Sequence, residues 1–175
     1  MKIQLDSAEP LPDAQSEEIA RVILSRFGLL PRKKDGMAKM HSLLLQIYER
    51  KKQSNRDKKP ELAVMTVEEM GVYAGIKRQT MYDYLSRWLS LNLLKKTSFV
   101  NEGKVVIGYE LNGHNLEAAF KKAELIVRNH TDSTLAMVRT LQNQVKNEKI
   151  KESLTEAKPP ETEQEEKEES ATSSE

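Results

Sequence analysis

The chain has 175 residues and a formal net charge of +1, with 38% hydrophobic residues, 31% charged residues and no cysteine. That is room for one compact domain with tails, but no apolar run approaches the ~18–20 residues that cross a bilayer, and the start, MKIQLDSAEPLPD, lacks the apolar stretch of a secretory signal. Disulfides, thiolate nucleophiles and thiolate metal sites are excluded, so a soluble, cytoplasmic chain held together by packing is expected, with no membrane partner.

The small net charge conceals a segregation. Residues 1–20 carry −4, residues 156–175 carry −6 with eight glutamates against two lysines, and the span between them, 21–155, carries +11. A surface this basic suits a polyanion, because Lys and Arg neutralise phosphates and release condensed counterions; a merely solvated basic face is the alternative.

Residues 1–15, punctuated by Pro10 and Pro12, and residues 152–175, ending in KPPETEQEEKEESATSSE, offer too little apolar surface to offset the entropy of ordering and are expected to be disordered. The acidic tail reads as a solubilising segment, with competition for the basic surface as its alternative role. Residues 16–60 predict two helices and a basic loop. Ser16 can cap the first helix, Ile19, Val22, Ile23 and Phe27 recur at helical spacing, and Gly28 ends it. The second begins near Asp35, carries Met37, Met40, Leu44, Leu45, Ile47 and Tyr48, and gives way to the loop KKQSNRDKKP.

Over 61–112 the signals sharpen. LAVM predicts a short strand, and Thr66 stands three residues before Glu69, the capping-box spacing. The helix that starts there runs through Met70, Val72, Tyr73 and Ala74 to Gly75, where a left-handed residue can close it. Ile76 leads into a second helix with Met81, Leu85, Trp88 and Leu89 as its apolar stripe, stopping at Asn92. LLKKTSFV and KVVIGYEL, separated by Asn101, Glu102 and Gly103, predict a β-hairpin in which Val105, Ile107, Tyr109 and Leu111 share a face. Asn115 then caps a C-terminal helix over 113–151, with a heptad seam of Leu116, Phe120, Ala123, Val127, His130, Thr134, Met137 and Leu141. The run from Asn129 to Ser133 is poor in helix formers, so the pattern allows one long helix or two with a bend near Asp132.

This is a mainly α fold with a small β-hairpin. MTVEEMGVYAGIKRQTMYDYLSRWLSLNLLKK resembles the winged helix-turn-helix DNA-binding superfamily: a Thr-capped support helix, Gly-Ile into a recognition helix with Gln-Thr near its start, then Leu-Leu into the wing. The matching positions are Thr66, Val67, Met70, Gly75, Ile76, Thr80, Met81, Leu85, Leu89, Leu93 and Leu94, whereas Lys77 stands where a capping Ser is usual and Gly71 where Ala is common. The resemblance spans Leu62 to Leu111. Flanking helices give the chain an element order similar to that of MarR and PadR regulators, whose terminal helices hold two reading heads at a fixed separation.

The resemblance implies a winged helix-turn-helix flanked by N-terminal helices and a long C-terminal helix, binding double-stranded DNA sequence-specifically as a dimeric transcriptional regulator, nucleoid-associated in the cytoplasm. A recognition helix over 77–91 would enter the major groove, about 12 Å wide, presenting Lys77, Arg78, Gln79, Thr80, Tyr82, Ser86 and Arg87. Arg78 suits guanine O6 and N7 and Gln79 suits adenine N6 and N7, while Asp83 is the one opposing charge. Lys95, Lys96 and Lys104, in a wing over 95–110, would position the protein on phosphates or an adjacent minor groove. Leu116, Phe120, Ala123, Val127, His130, Met137 and Leu141 would pair with a second copy; the alternative is a helix bent near Asp132 that folds back onto Ile19, Val22, Ile23 and Leu44 in a monomer. The rival from another class is a winged-helix protein-interaction module in a transcription, replication or chromosome-segregation assembly.

Tyr73, Tyr84 and Trp88 fall at stripe spacing and read as core rather than as a stacking platform for bases. His41, His114 and His130 have no metal-ligand spacing, and there is no Gly-rich phosphate loop, GxSxG motif or catalytic carboxylate pair outside the tails. No enzyme, metal or cofactor is therefore expected, and nothing identifies a small-molecule effector.

Overall fold

A computed structural model of the chain describes residues 7–31, 36–101 and 103–156. It is mainly helical and divides into two compact units, Met1–His130 and Thr131–Glu175. No helix among the described residues is long and apolar enough to cross a membrane.

Helix α1 (Ser16–Arg26) has Gln15, not Ser16, at its N-cap, with no side-chain cap bond. It buries Ala20 and Leu24, whereas Ile19 is exposed and Val22, Ile23 and Phe27 are half-buried, so the predicted stripe lies at the edge of the buried face. Residues 7–15, expected to be disordered, are tied to α1 instead. Arg26 Nε donates to the Ala8 carbonyl at 2.7 Å, and the Leu11 N–H donates to the Glu18 carboxylate at 3.3 Å.

Helix α2 (Met40–Asp57) begins later and ends later than its apolar pattern predicts. Met37 is an exposed turn residue, and Asp35 lies outside the described residues. The expected basic loop is helical as far as Asp57, because its polar side chains find tertiary partners: Ser54 is buried, Lys51 pairs with Glu110 at 2.8 Å, and Asn55 Nδ2 donates to the His114 carbonyl at 2.8 Å. The helix closes on Lys58, left-handed at φ 55°.

The strand expected over LAVM is replaced by a 3₁₀ turn, Pro60–Ala63, whose proline fixes φ at the start of the turn. Only Met65 pairs in extended fashion, exchanging both backbone hydrogen bonds with Tyr109 at 2.8 and 2.9 Å.

Helix α3 (Val67–Ala74) starts with the capping box read from the sequence: Thr66 Oγ1 accepts from the Glu69 N–H at 3.3 Å, and Glu69 Oε2 accepts from the Thr66 N–H at 2.8 Å. The other Glu69 oxygen accepts from Arg50 Nη2 at 2.8 Å, while Arg50 Nη1 reaches the Val64 carbonyl at 3.0 Å, so α2 grips the first turn of α3. The chain then reverses at Gly75, φ 68°, with the Ile76 N–H on the Gly71 carbonyl at 2.9 Å. A Cβ at Gly71 would lie 2.8 Å from the Ile76 oxygen, which accounts for glycine where alanine is common. Helix α4 (Arg78–Ser90) buries Met81, Tyr84, Leu85 and Trp88 and closes on Asn92, φ 55°, with the Leu93 N–H on the Trp88 carbonyl at 3.1 Å.

Strands β1 (Leu94–Asn101) and β2 (Lys104–Leu111) pair antiparallel from Leu94↔Leu111 to Asn101↔Lys104; Glu102 lies outside the described residues. The face shared by Val105, Ile107, Tyr109 and Leu111 is buried only at its base, through Tyr109 and Leu111 with Leu94.

Helix α5 (Leu116–Glu156) begins with Asn115 Oδ1 accepting from the Ala118 N–H at 2.8 Å, has no break at Asp132, and extends beyond the predicted end at 151. Residues 157–175 of the expected acidic tail lie outside the described residues. The seam is divided. Ala123 is fully buried in the core of its own chain, where Leu116, Phe120 and Val127 pack against it, with the Phe120 ring edge-on to Phe27 at 5.2 Å. His130, Met137 and Leu141 are exposed, as is every described residue from Arg128 to Leu154. The expectation of one outward seam is therefore corrected: its first half has apolar partners in the same chain.

The left-handed turn sets a stability test. Gly75→Ala places a Cβ in a conformation that costs an L-residue roughly 1–2 kcal/mol, and Gly75→Asn, which bonds locally, costs less. Urea unfolding should show the alanine variant less stable than the asparagine variant. Equal stabilities would contradict this account of the turn.

Candidate nucleic-acid interface

The buried stripe of α4 leaves an opposite face that carries Arg78, Gln79, Tyr82, Asp83 and Ser86, all exposed. Thr80 and Arg87 are half-buried at its flank, and Lys77, the exposed N-cap, makes no side-chain cap bond. Arg78 bridges α3 and α4: its Nε lies 3.0 Å from Glu68 Oε1, its Nη2 is 3.1 Å from the Tyr82 hydroxyl, and its guanidinium carbon is 5.6 Å from the Tyr82 ring centroid. The Tyr82 hydrogen bond and the Glu68 charge both hold the Arg78 pKa above its ordinary value. The pair is solvent-exposed, so water screens it and Arg78 can leave Glu68 for another acceptor at little cost.

The hairpin register sorts the three wing lysines. Lys96 sits opposite Tyr109, on the face of Leu94 and Leu111. The base of this face, Leu94, Tyr109 and Leu111, shares the core with Tyr84 and Trp88 of α4, and burial and then Tyr82 raise the Tyr109 pKa. Lys95 and Lys104 lie on the other face. Lys95 Nζ is 3.0 Å from Glu110 Oε1, and Lys51 Nζ from α2 is 2.8 Å from Glu110 Oε2. Burial alone would raise the Glu110 pKa, but the two ammonium groups outweigh it and hold the carboxyl below its usual range. Lys51 thus ties the hairpin to α2, while Lys95, whose side chain is half exposed, pairs across the two strands with Glu110, and Lys104 stands exposed at the hairpin tip opposite Asn101. Arg78, Gln79, Tyr82 and Ser86 share the exposed face of α4, and Lys96 is exposed on the hairpin face whose base packs into the core with the buried stripe of α4.

Three exposed residues at the tip, Val100 (71%), Val105 (72%) and Ile107 (52%), share one hairpin face and form an apolar patch. The sequence places Val105 and Ile107 on one face with Tyr109 and Leu111; burial shows that the base of the hairpin, not the tip, reaches the core, and the register adds Val100 to the exposed end of that face. Lys51 was hidden in its basic run. Tyr84 and Trp88 are core, as their spacing implies, whereas Tyr73 is partly exposed with the Arg50 guanidinium 6.0 Å from its ring centroid.

No family model matches the chain, and comparison with curated proteins finds no match.

The depressed Glu110 pKa fixes the sign of a pH effect. Its stabilisation is present above the unfolded carboxyl value, about 4.3, and is lost as pH falls through the lower folded value. Glu110→Gln should cost about 1–3 kcal/mol at pH 7, because it removes the negative charge that Lys51 and Lys95 share and turns one of the two acceptor oxygens into an amide donor facing an ammonium, with the gap to the native chain narrowing near pH 3. A gap that stays constant down to pH 3 in urea titrations would contradict this role.

Proposed function

We propose that α3, α4 and the hairpin form a winged helix-turn-helix that binds double-stranded DNA sequence-specifically, and that the protein acts as a dimeric transcriptional regulator. The observation that carries this reading is the exposed face of α4, where Arg78, Gln79, Tyr82 and Ser86 stand together, followed in the chain by a hairpin on which Lys96 is exposed. A helix of this width fits the major groove, and its N-terminal residues then reach base edges. Arg78 exchanges Glu68 for guanine O6 and N7, Gln79 addresses adenine, and Lys77, Arg87, Lys96 and Lys104 neutralise phosphates along the flanks. The +11 charge of residues 21–155 supports the same partner.

A second reading, a winged-helix protein-interaction module, is favoured by the apolar tip of Val100, Val105 and Ile107, a surface better suited to a protein than to phosphates. Titration of the full chain with duplex DNA, using fragments first selected from genomic DNA, separates the two. Six to ten phosphate contacts give a log–log salt slope of roughly −5 to −9. Arg78→Ala and Gln79→Ala should each reduce discrimination between sequences by about 1–3 kcal/mol, whereas Lys104→Ala should weaken all sequences alike. Binding that is absent at about 50 mM salt, or flat up to about 200 mM, would overturn the DNA reading in favour of the protein module.

A further inference from the structure

Asn112 joins three elements of the first unit at the point where β2 leads into α5. Its N–H donates to the Leu93 carbonyl at 2.9 Å, and its Nδ2 donates to the carbonyl of Asn92, the left-handed stop of α4, at 2.9 Å. Lys122 Nζ of α5 donates to its Oδ1 at 2.8 Å. The two ends of the amide are told apart by these partners, since an ammonium only donates and a carbonyl only accepts. The next residue has to be glycine, because a Cβ at 113 would lie 2.7 Å from the Ala119 nitrogen and 3.0 Å from the Asn115 carbonyl oxygen, both backbone atoms. The fold thus requires an Asn-Gly pair at the one place in the chain where it occurs.

Asn-Gly is chemically the least durable of asparagine sequences. With no side chain on residue 113 to hinder it, the Gly113 nitrogen can attack Asn112 Cγ. The new N–Cγ bond closes a succinimide, the Cγ–Nδ2 bond breaks, and ammonia leaves with the Gly113 amide proton. Water then opens the ring at either carbonyl, giving aspartate or, with one extra methylene in the backbone, isoaspartate. Ring closure needs the side chain to turn toward its own backbone, but here both ends of the amide are held by other elements. We propose that Asn112 is a site of spontaneous deamidation gated by opening of the junction between α4, β2 and α5. While the bonds to Asn92 and Lys122 stand they fix the side-chain torsions, and ring closure waits for them to break. Conversion then loosens the junction. A carboxylate oxygen replaces the donor that faced the Asn92 carbonyl, and isoaspartate adds a chain atom between β2 and α5.

This chemistry is independent of any bound partner, so the full chain alone tests it. The chain is incubated in mildly alkaline buffer, native and in urea, beside Lys122→Met, which removes the ammonium at an exposed position, and Lys122→Arg, which keeps a donor there. Mass mapping of proteolytic peptides follows amide loss at each asparagine. Aspartate and isoaspartate should accumulate at Asn112 before any other asparagine. Lys122→Met should raise that rate about two- to tenfold, the effect of one lost hydrogen bond on local opening, Lys122→Arg should restore the slow rate, and urea should give the fastest. A Lys122→Met rate no higher than the native one, a Lys122→Arg rate as high as that of Lys122→Met, or a native rate equal to that in urea would overturn the gate. Absence of conversion at Asn112 even in urea would overturn the site itself.

Discussion

The carbonyl oxygen of Ile76 lies 2.8 Å from where a Cβ on residue 71 would begin, so α3 and α4 approach more closely than any side chain there would permit. That contact, together with the left-handed Gly75, turns α4 so that Met81, Tyr84, Leu85 and Trp88 bury against the core containing Met70 and Ala74. The outward direction of Arg78, Gln79, Tyr82 and Ser86 follows from the same turn. α3 is itself fixed from the other end, since one Glu69 oxygen caps its first turn and the other receives Arg50 from α2. Burial raises the Glu69 pKa, but the Thr66 backbone bond and Arg50 outweigh it and hold the carboxyl below its usual range, so both restraints weaken together in acid.

Basic residues divide by what holds them. Arg50 and Lys51 spend their charge on Glu69 and Glu110 at part-buried positions and set the attitude of α3 and of the hairpin, while the half-exposed Lys95 shares Glu110 across the strands. Lys77, Lys96 and Lys104 are exposed, and the partners of Arg78 are the solvent-screened Glu68 and Tyr82. A total positive charge therefore overstates what a polyanion can meet. The buried Glu110 pair illustrates the cost of misassignment, because removing one member leaves another charge stranded at low solvent exposure.

What the sequence made legible was local. The Thr66 to Glu69 cap, the Gly75 and Asn92 stops, the α4 stripe, the hairpin and the Asn115 cap all depend on residues within a few positions of one another, and the structure has each of them. What stayed hidden depends on distant partners. α2 continues through KKQSNRD because Glu110 and His114, some sixty residues away, receive Lys51 and Asn55. The first half of α5 is core because α1 brings Phe27 to Phe120, and Val105 and Ile107 are exposed because the hairpin outruns the core at its tip. In the candidate interface the residue types were readable, but the face on which each lysine lies needed the strand register.

Amide chemical shifts of the full-length, isotopically labelled chain, followed while a genomically selected duplex is added at about 100 mM salt, test the account most directly. The account predicts that the largest changes fall on residues 77–87 and on Lys96 and its hairpin neighbours, with Gly71, Gly75 and the core of the first unit little altered. Changes confined to α1, α2 and the start of α5, or no change at a duplex concentration that saturates ordinary DNA-binding domains, would contradict it.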